Sequence, residues 1–79
     1  MNDGLADVDR RVVGTKQVLR ALDEVAHAYV AQDADLLLTK RVVDRCYDME
    51  IPCTQVESME KLGRACGIDV KAAAAGLLK

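Results

Sequence analysis

The chain has 79 residues, a net charge of −2 and 51% hydrophobic residues, with no Trp or Phe and only two Tyr. One globular domain over residues 1–79 is expected, with a core of Leu, Val, Ile, Ala and Met, and disorder is excluded. The acidic balance excludes tight non-specific binding to nucleic acid, which takes many phosphate contacts from a broadly basic surface, so any nucleic-acid site has to be local and shape-dependent.

Residues Gly4 to Arg11 carry Leu5 and Val8 three apart between acids, which reads as a short helical turn leading into Arg10 and Arg11. An extended run through Val12 and Val13 then stops at Gly14, and a helix is predicted from Thr15 to about Glu24. At about 100° per residue, Lys16, Gln17 and Arg20 share one side of that helix while Val18, Leu19, Ala21 and Leu22 fill the other. A helix start offers unpaired N–H groups and a partial positive charge; with cationic and amide side chains in its first two turns, it suits phosphates and base edges. Taken alone, the same residues also fit a strand-to-helix turn with an ordinary solvated face.

Ala26 to Ala31 has strand character and stops at Gln32-Asp33-Ala34-Asp35, where Asp33 is the expected N-cap of the next helix. From Ala34 to Glu50 the pattern is helical, with Leu38, Val42, Cys46 and Met49 on one stripe flanked by Val43 and Tyr47. Pro52 is placed at the start of a strand from Ile51 to Val56, and Ser58 caps a short helix whose Met59, Leu62 and Cys66 share a face. Gly63 and Gly67 let the backbone pack closely and turn. The run Ala72 to Ala75 reads as helix on propensity but equally as a buried strand of small residues. Strands alternating with helices imply an α/β/α layering, with the Gly14 turn beyond a strand end where such sheets place ligands.

Three cysteines without a C-x-x-C spacing indicate neither a disulfide framework nor a zinc site, and Cys66, between glycines, is expected to pack. His27, the only histidine, is expected at a strand edge or on the surface, and its being alone argues against metal, nucleophile–base pairs and an enzyme. Glu57, Glu60 and Asp69 have nothing that places a substrate between them. Gly14-Thr15 is not a phosphate loop of the G-x-x-x-x-G-K type. No cofactor and no small-molecule substrate are expected. No apolar run approaches the roughly 18 residues of a membrane span, and Met1-Asn2-Asp3-Gly4 lacks the order of a signal peptide, so a cytoplasmic protein without a membrane partner is expected.

Two stretches read together are more specific than either alone: Gly14-Thr15-Lys16-Gln17 with Arg20, and Val56 to Val70. With Ala31-Gln32-Asp33-Ala34-Asp35, which looks like an A-x-D-A-D segment, the pair resembles the kink-turn RNA-binding ribosomal protein superfamily, the L-seven-Ae and L-thirty-e group, and most closely its small bacterial members. The likeness runs from Val12 to about Leu78. It implies a three-layer α/β/α sandwich with a central mixed four-stranded sheet, in which Ala72 to Leu78 is an inner strand. It also implies binding of the kink-turn, a duplex RNA bent by a short bulge beside tandem sheared G·A pairs. Gly14, Thr15, Lys16, Gln17 and Arg20 match the turn and helix that enter the groove at those pairs. Lys16 and Gln17 would read guanine edges there, and Arg20 a base edge or phosphate. Ile68, Asp69 and Val70, with Lys71, match the loop covering the bulged nucleotides, and Lys61 and Arg64 are candidate phosphate contacts. The partner implied is ribosomal RNA, a riboswitch or another structured RNA, met by a monomer that is free or ribosome-associated. A ribosome-associated protein-interaction module with weakened RNA affinity, using Ile68 to Val70, is the alternative.

Overall fold

The computed structural model describes residues 3–79; Met1 and Asn2, part of the stretch that argued against a leader, lie outside the described residues. Four strands, β1 (Arg11–Val13), β2 (Val25–Ala31), β3 (Cys53–Val56) and β4 (Ala74–Leu78), form one sheet in the order β1-β4-β2-β3. The last strand is antiparallel to both neighbours, with Val13 opposite Ala75 and Tyr29 also opposite Ala75, whereas β3 runs parallel to β2 with Tyr29 opposite Thr54. It follows that β1, β2 and β3 all point the same way and end at one rim of the sheet.

At that rim each of the three gives way to a helix: α1 (Thr15–Arg20), α2 (Leu36–Asp48) and α3 (Met59–Ala65). Against one face of the sheet, Val18 and Leu22 together with Val42 and Cys46 of α2 pack on Val25, Ala28, Val30 and Ala74. On the other face, Leu5 from the N-terminal 3-10 turn and Leu62 and Cys66 from the α3 region pack on Tyr29, Ala31, Val56 and Ala75. Val25 and Ala28 are three apart yet serve the same face because the pairing slips between Val25 and His27.

The small residues of β4 explain why an alanine run is a strand. Ala74, Ala75 and Gly76 are buried in the middle of the sheet, where a Cβ on Gly76 would already come within 3.0 Å of Val25. Helices on both faces leave room for little more, so burial overrides helix propensity.

Three expectations are corrected. The helix predicted to Glu24 ends at Arg20 and continues only as a 3-10 turn, Leu22–Glu24, since Asp23 and Glu24 oppose the negative end of a helix. The cap of α2 is Asp35, whose carboxylate accepts from Leu37 N–H at 2.9 Å, and not Asp33. The buried line of α2 is Thr39, Val42 and Cys46; Leu38, Val43 and Met49 are exposed, and Tyr47 is 84% exposed. The hydrophobic stripe read from the sequence is wider than the sheet beneath it can cover.

Helix α2 stops in a left-handed residue that is not glycine. Glu50 has φ 57°, Glu50 N–H donates to Tyr47 C=O at 3.2 Å and Ile51 N–H to Cys46 C=O at 2.8 Å, the two bonds of a Schellman end. Pro52 follows just before β3, and its carbonyl accepts from Ala28 N–H at 2.9 Å. Among the described residues, no helix is long and apolar enough to cross a membrane.

Candidate nucleic-acid interface

Gly14 ends β1 with φ 104° and ψ 147°, backbone that L side chains rarely adopt. Its N–H donates to Ala74 C=O at 2.8 Å and its own carbonyl accepts from Val18 N–H at 2.9 Å, so this one residue closes the sheet and opens the helix. A Cβ there would meet only Gln17 Cγ at 3.7 Å, so the demand for glycine is conformational and not one of space.

On α1, Val18 is fully buried while Lys16, Gln17 and Arg20 are exposed and Thr15 is half-buried. Among the described residues neither Lys16 nor Arg20 has a carboxylate within ion-pair distance. Lys61 and Arg64 stand otherwise: each is held by a glutamate four residues before it, Lys61 by Glu57 just ahead of the Ser58 cap and Arg64 by Glu60 at 2.6 Å. Exposed pairs of this kind are worth about 0–1 kcal/mol, so a phosphate can displace the carboxylate.

The second predicted stretch is brought to the same rim. The chain leaves α3 through another Schellman end, with Gly67 at φ 73°, Gly67 N–H donating to Arg64 C=O at 3.0 Å and Ile68 N–H to Gly63 C=O at 3.1 Å. It then folds back over the helix. A Cβ on Gly63 would sit 2.1 Å from the Val70 carbonyl oxygen, and Ala72 N–H donates to Met59 C=O at 3.1 Å. Ile68 packs half-buried against the core, Asp69 and Lys71 are exposed, and Val70 is held out in solvent at 68% exposure. Val70 is four residues from Ala74, the partner of Gly14, so the loop lies within roughly 20 Å of the Gly14 turn.

Two ties, one at the rim and one at the opposite end of β1 and α3, are made by residues whose part the sequence did not disclose. Asp33 accepts from Met59 N–H at 2.7 Å and so caps α3 from the A-x-D-A-D segment, in addition to Ser58, whose hydroxyl accepts from Lys61 N–H at 3.1 Å. Arg11, read only as the end of a lead-in, donates to Leu5 C=O at 3.1 Å and Cys66 C=O at 3.2 Å, fixing the N-terminal turn to the end of α3. An aspartate two residues before a cap and an arginine at a strand start give no local signal for contacts this distant in sequence.

The thiols and the histidine lie apart from this surface. Cys66 is buried, and burial raises its pKa although Arg11 opposes the shift. Burial, and secondarily the neighbouring Cys53, pushes the Cys46 thiol up to about 11, so both cysteines are packed thiols and poor nucleophiles. His27 Nε2 lies 2.6 Å from Thr54 Oγ1 and its ring stacks on Tyr29 at 4.6 Å, which makes it part of the sheet surface. No group of three or more His, Cys, Asp or Glu among the described residues could hold a metal ion.

An α/β/α sandwich with three parallel strands ending at a common rim, and a cationic helix start beside an apolar loop there, defines a class of small binding domain. Residues 4–79 match the Ribosomal protein L7Ae/L30e/S12e/Gadd45 family, and the chain belongs to it. It is 47% identical over 70 residues to a protein of Geobacillus thermodenitrificans named RNA-binding protein, covering 86% of this chain and 85% of that one. To RNA-binding protein YbxF of Geobacillus stearothermophilus it is 46% identical with the same coverage. Among solved structures it resembles a protein of unknown function from Bacillus halodurans, with a TM-score of 0.85, 26% identity, and coverage of 98% of this chain and 82% of the other. The fold is shared as well with a 15.5kD RNA binding protein of Giardia lamblia, with a TM-score of 0.89, 24% identity and coverage of 98% and 67%. The mixed four-stranded sheet between helices is the fold of these neighbours.

Proposed function

We propose that this protein is a non-enzymatic RNA-binding module that recognises the kink-turn. The observation that carries the reading is that Lys16, Gln17 and Arg20, exposed and without carboxylate partners among the described residues, share a rim with a loop that holds Val70 in solvent. The names of its bacterial relatives support RNA as the partner. An ordinary A-form duplex hides its major-groove base edges from side chains. Three side chains on a six-residue helix cannot reach into it, whereas a groove opened by sheared G·A pairs presents those edges to them.

In this reading Lys16 and Gln17 meet guanine edges, Arg20 a base edge or phosphate, and Ile68 to Lys71 cover the unstacked nucleotides, with Val70 as the apolar lid. Lys61 and Arg64 exchange their glutamates for phosphates. The protein favours the bent RNA because it binds that form better than the extended one. Arg20→Ala tests the assignment: the side chain is exposed, so the melting curve should be unchanged, while affinity for kink-turn RNA falls by about 1–3 kcal/mol, the range for a base-edge contact. Parent-like binding by this variant overturns the proposal. Release of a protein partner by Val70→Ala, with Arg20→Ala silent, would select the protein-interaction reading instead.

A further inference from the structure

Cations are unevenly distributed on this acidic chain. On α3 they are matched by glutamates, but α1 and α2 carry Lys16, Arg20, Lys40, Arg41 and Arg45 with no ion pair among the described residues. Arg41 and Arg45 lie one turn apart and, with Leu19 and Asp44, line a groove between the two helices of about 420 Å³. Asp44 is the acid inside it, and Asp48 follows one turn after Asp44 on α2.

Because β1 and β2 end at the same rim, α1 and α2 leave it in the same direction. At about 1.5 Å per residue, Arg20 and Arg41 stand at similar depth, each roughly 8 Å from the start of its helix, and Arg45 about 6 Å further. Lys16 and Arg20 on α1 and Arg41 and Arg45 on α2 thus form two cationic rows that run down from the rim on neighbouring helices, with half-buried Leu19 lining the groove between them. Arginine's planar fork suits phosphate oxygens, and a repeat of cations one helical turn apart matches a polyanion better than a single bound ion.

We infer that this groove, through Arg41 and Arg45, holds the phosphodiester backbone of the RNA stem that runs on from the contact made by Lys16, Gln17 and Arg20. The inference rests on the RNA-binding reading above and extends it from a base-reading end to a phosphate track along the side of the domain. The track is sequence-independent: it adds affinity and fixes the direction in which the stem leaves. Two arginines against Asp44 make a short track, in keeping with a chain whose net charge forbids a broad one.

The test uses the full chain and two kink-turn RNAs that differ only in the stem adjoining the G·A pairs, long in one and cut short in the other. Arg41→Gln/Arg45→Gln should bind the long-stem RNA several-fold more weakly than the parent. It should also lower the magnitude of the salt slope of log K by about 0.7–0.9 for each phosphate that is no longer neutralised. It should bind the short-stem RNA like the parent. Arg41→Lys/Arg45→Lys, which keeps the charge, should retain the slope, and both variants should melt like the parent because both side chains are exposed. Equal affinity of parent and glutamine variant for the long stem, or equal losses on both RNAs, overturns the inference. So does intact RNA binding with loss of an acidic protein partner. If the parent itself binds neither RNA better than a plain duplex, it is the kink-turn reading that fails.

Discussion

Gly63→Ala is the substitution on which local propensity and the packed structure disagree in sign. Gly63 lies inside α3 and is buried, and in a helix interior alanine is favoured over glycine by about 1 kcal/mol. On propensity alone the variant would melt about 4–8 °C higher, the usual shift for 1 kcal/mol in a domain of this size. In the fold, however, the new Cβ would lie 2.1 Å from the Val70 carbonyl oxygen, 3.2 Å from its carbon and 3.3 Å from Lys71 Cα. All three neighbours are backbone, so no side chain can swing aside, and the loop has to lift by about an ångström or more to reach ordinary contact. Lifting it weakens the Ala72 N–H to Met59 C=O bond and withdraws Ile68 from the core. A broken buried hydrogen bond and a loosened apolar contact together cost about 2–4 kcal/mol, more than the propensity gain, so a net loss of about 1–3 kcal/mol is expected. Urea denaturation should show a lower midpoint with an unchanged slope, and titration with kink-turn RNA should show weaker binding because Val70 and Lys71 have moved. A variant more stable than the parent, with parent-like RNA affinity, would refute the close packing of this loop on α3.

Two further expectations concern the fold alone. Glu50→Gly removes a non-glycine residue from the left-handed end of α2 and should raise the urea midpoint by the equivalent of up to about 1 kcal/mol, the αL penalty less glycine's own entropy; a lower midpoint contradicts the Schellman end. The second follows from Cys46, whose pKa is raised by burial from an ordinary 9.0 to about 11 in the folded chain. Between those values the unfolded chain has lost the proton and the folded chain has kept it. Stability is therefore fully present below pH 9.0 and falls as pH rises towards about 11, more steeply in the parent than in Cys46→Ala; parallel profiles would show that the thiol is not held protonated.

Much of the fold was legible because the signals were local. Gly14 between a β-branched pair and an apolar-periodic run, Ser58 before α3, and Gly67 after it mark boundaries where the structure has them. What escaped was set by distant neighbours. Asp33 and Asp35 are chemically identical caps, and only the approach of α3 assigns Asp33 to Met59 N–H. Leu38 and Met49 share the apolar stripe with Val42 and Cys46, and Val43 and Tyr47 flank it, yet only Val42 and Cys46 of these six are buried. Ala74 to Leu78 is a strand because helices press on both its faces, and that pressure leaves no mark within the segment itself. The rim residues Lys16, Gln17, Arg20 and Val70 could be named in advance, but that Lys16 and Arg20 stand without an ion pair among the described residues, whereas the equally exposed Lys61 and Arg64 are held by glutamates, is visible only in three dimensions.

Whether this domain reads an opened, sharply bent RNA is decided most directly by a titration of labelled kink-turn RNA against the same RNA with its tandem G·A pairs replaced by Watson–Crick pairs, at one salt concentration and then across a series. Strong preference for the kink-turn is expected, with log K falling about two to five units per unit of log salt, as few phosphates are touched. Equal affinity for the two RNAs, or a slope near ten, would contradict it.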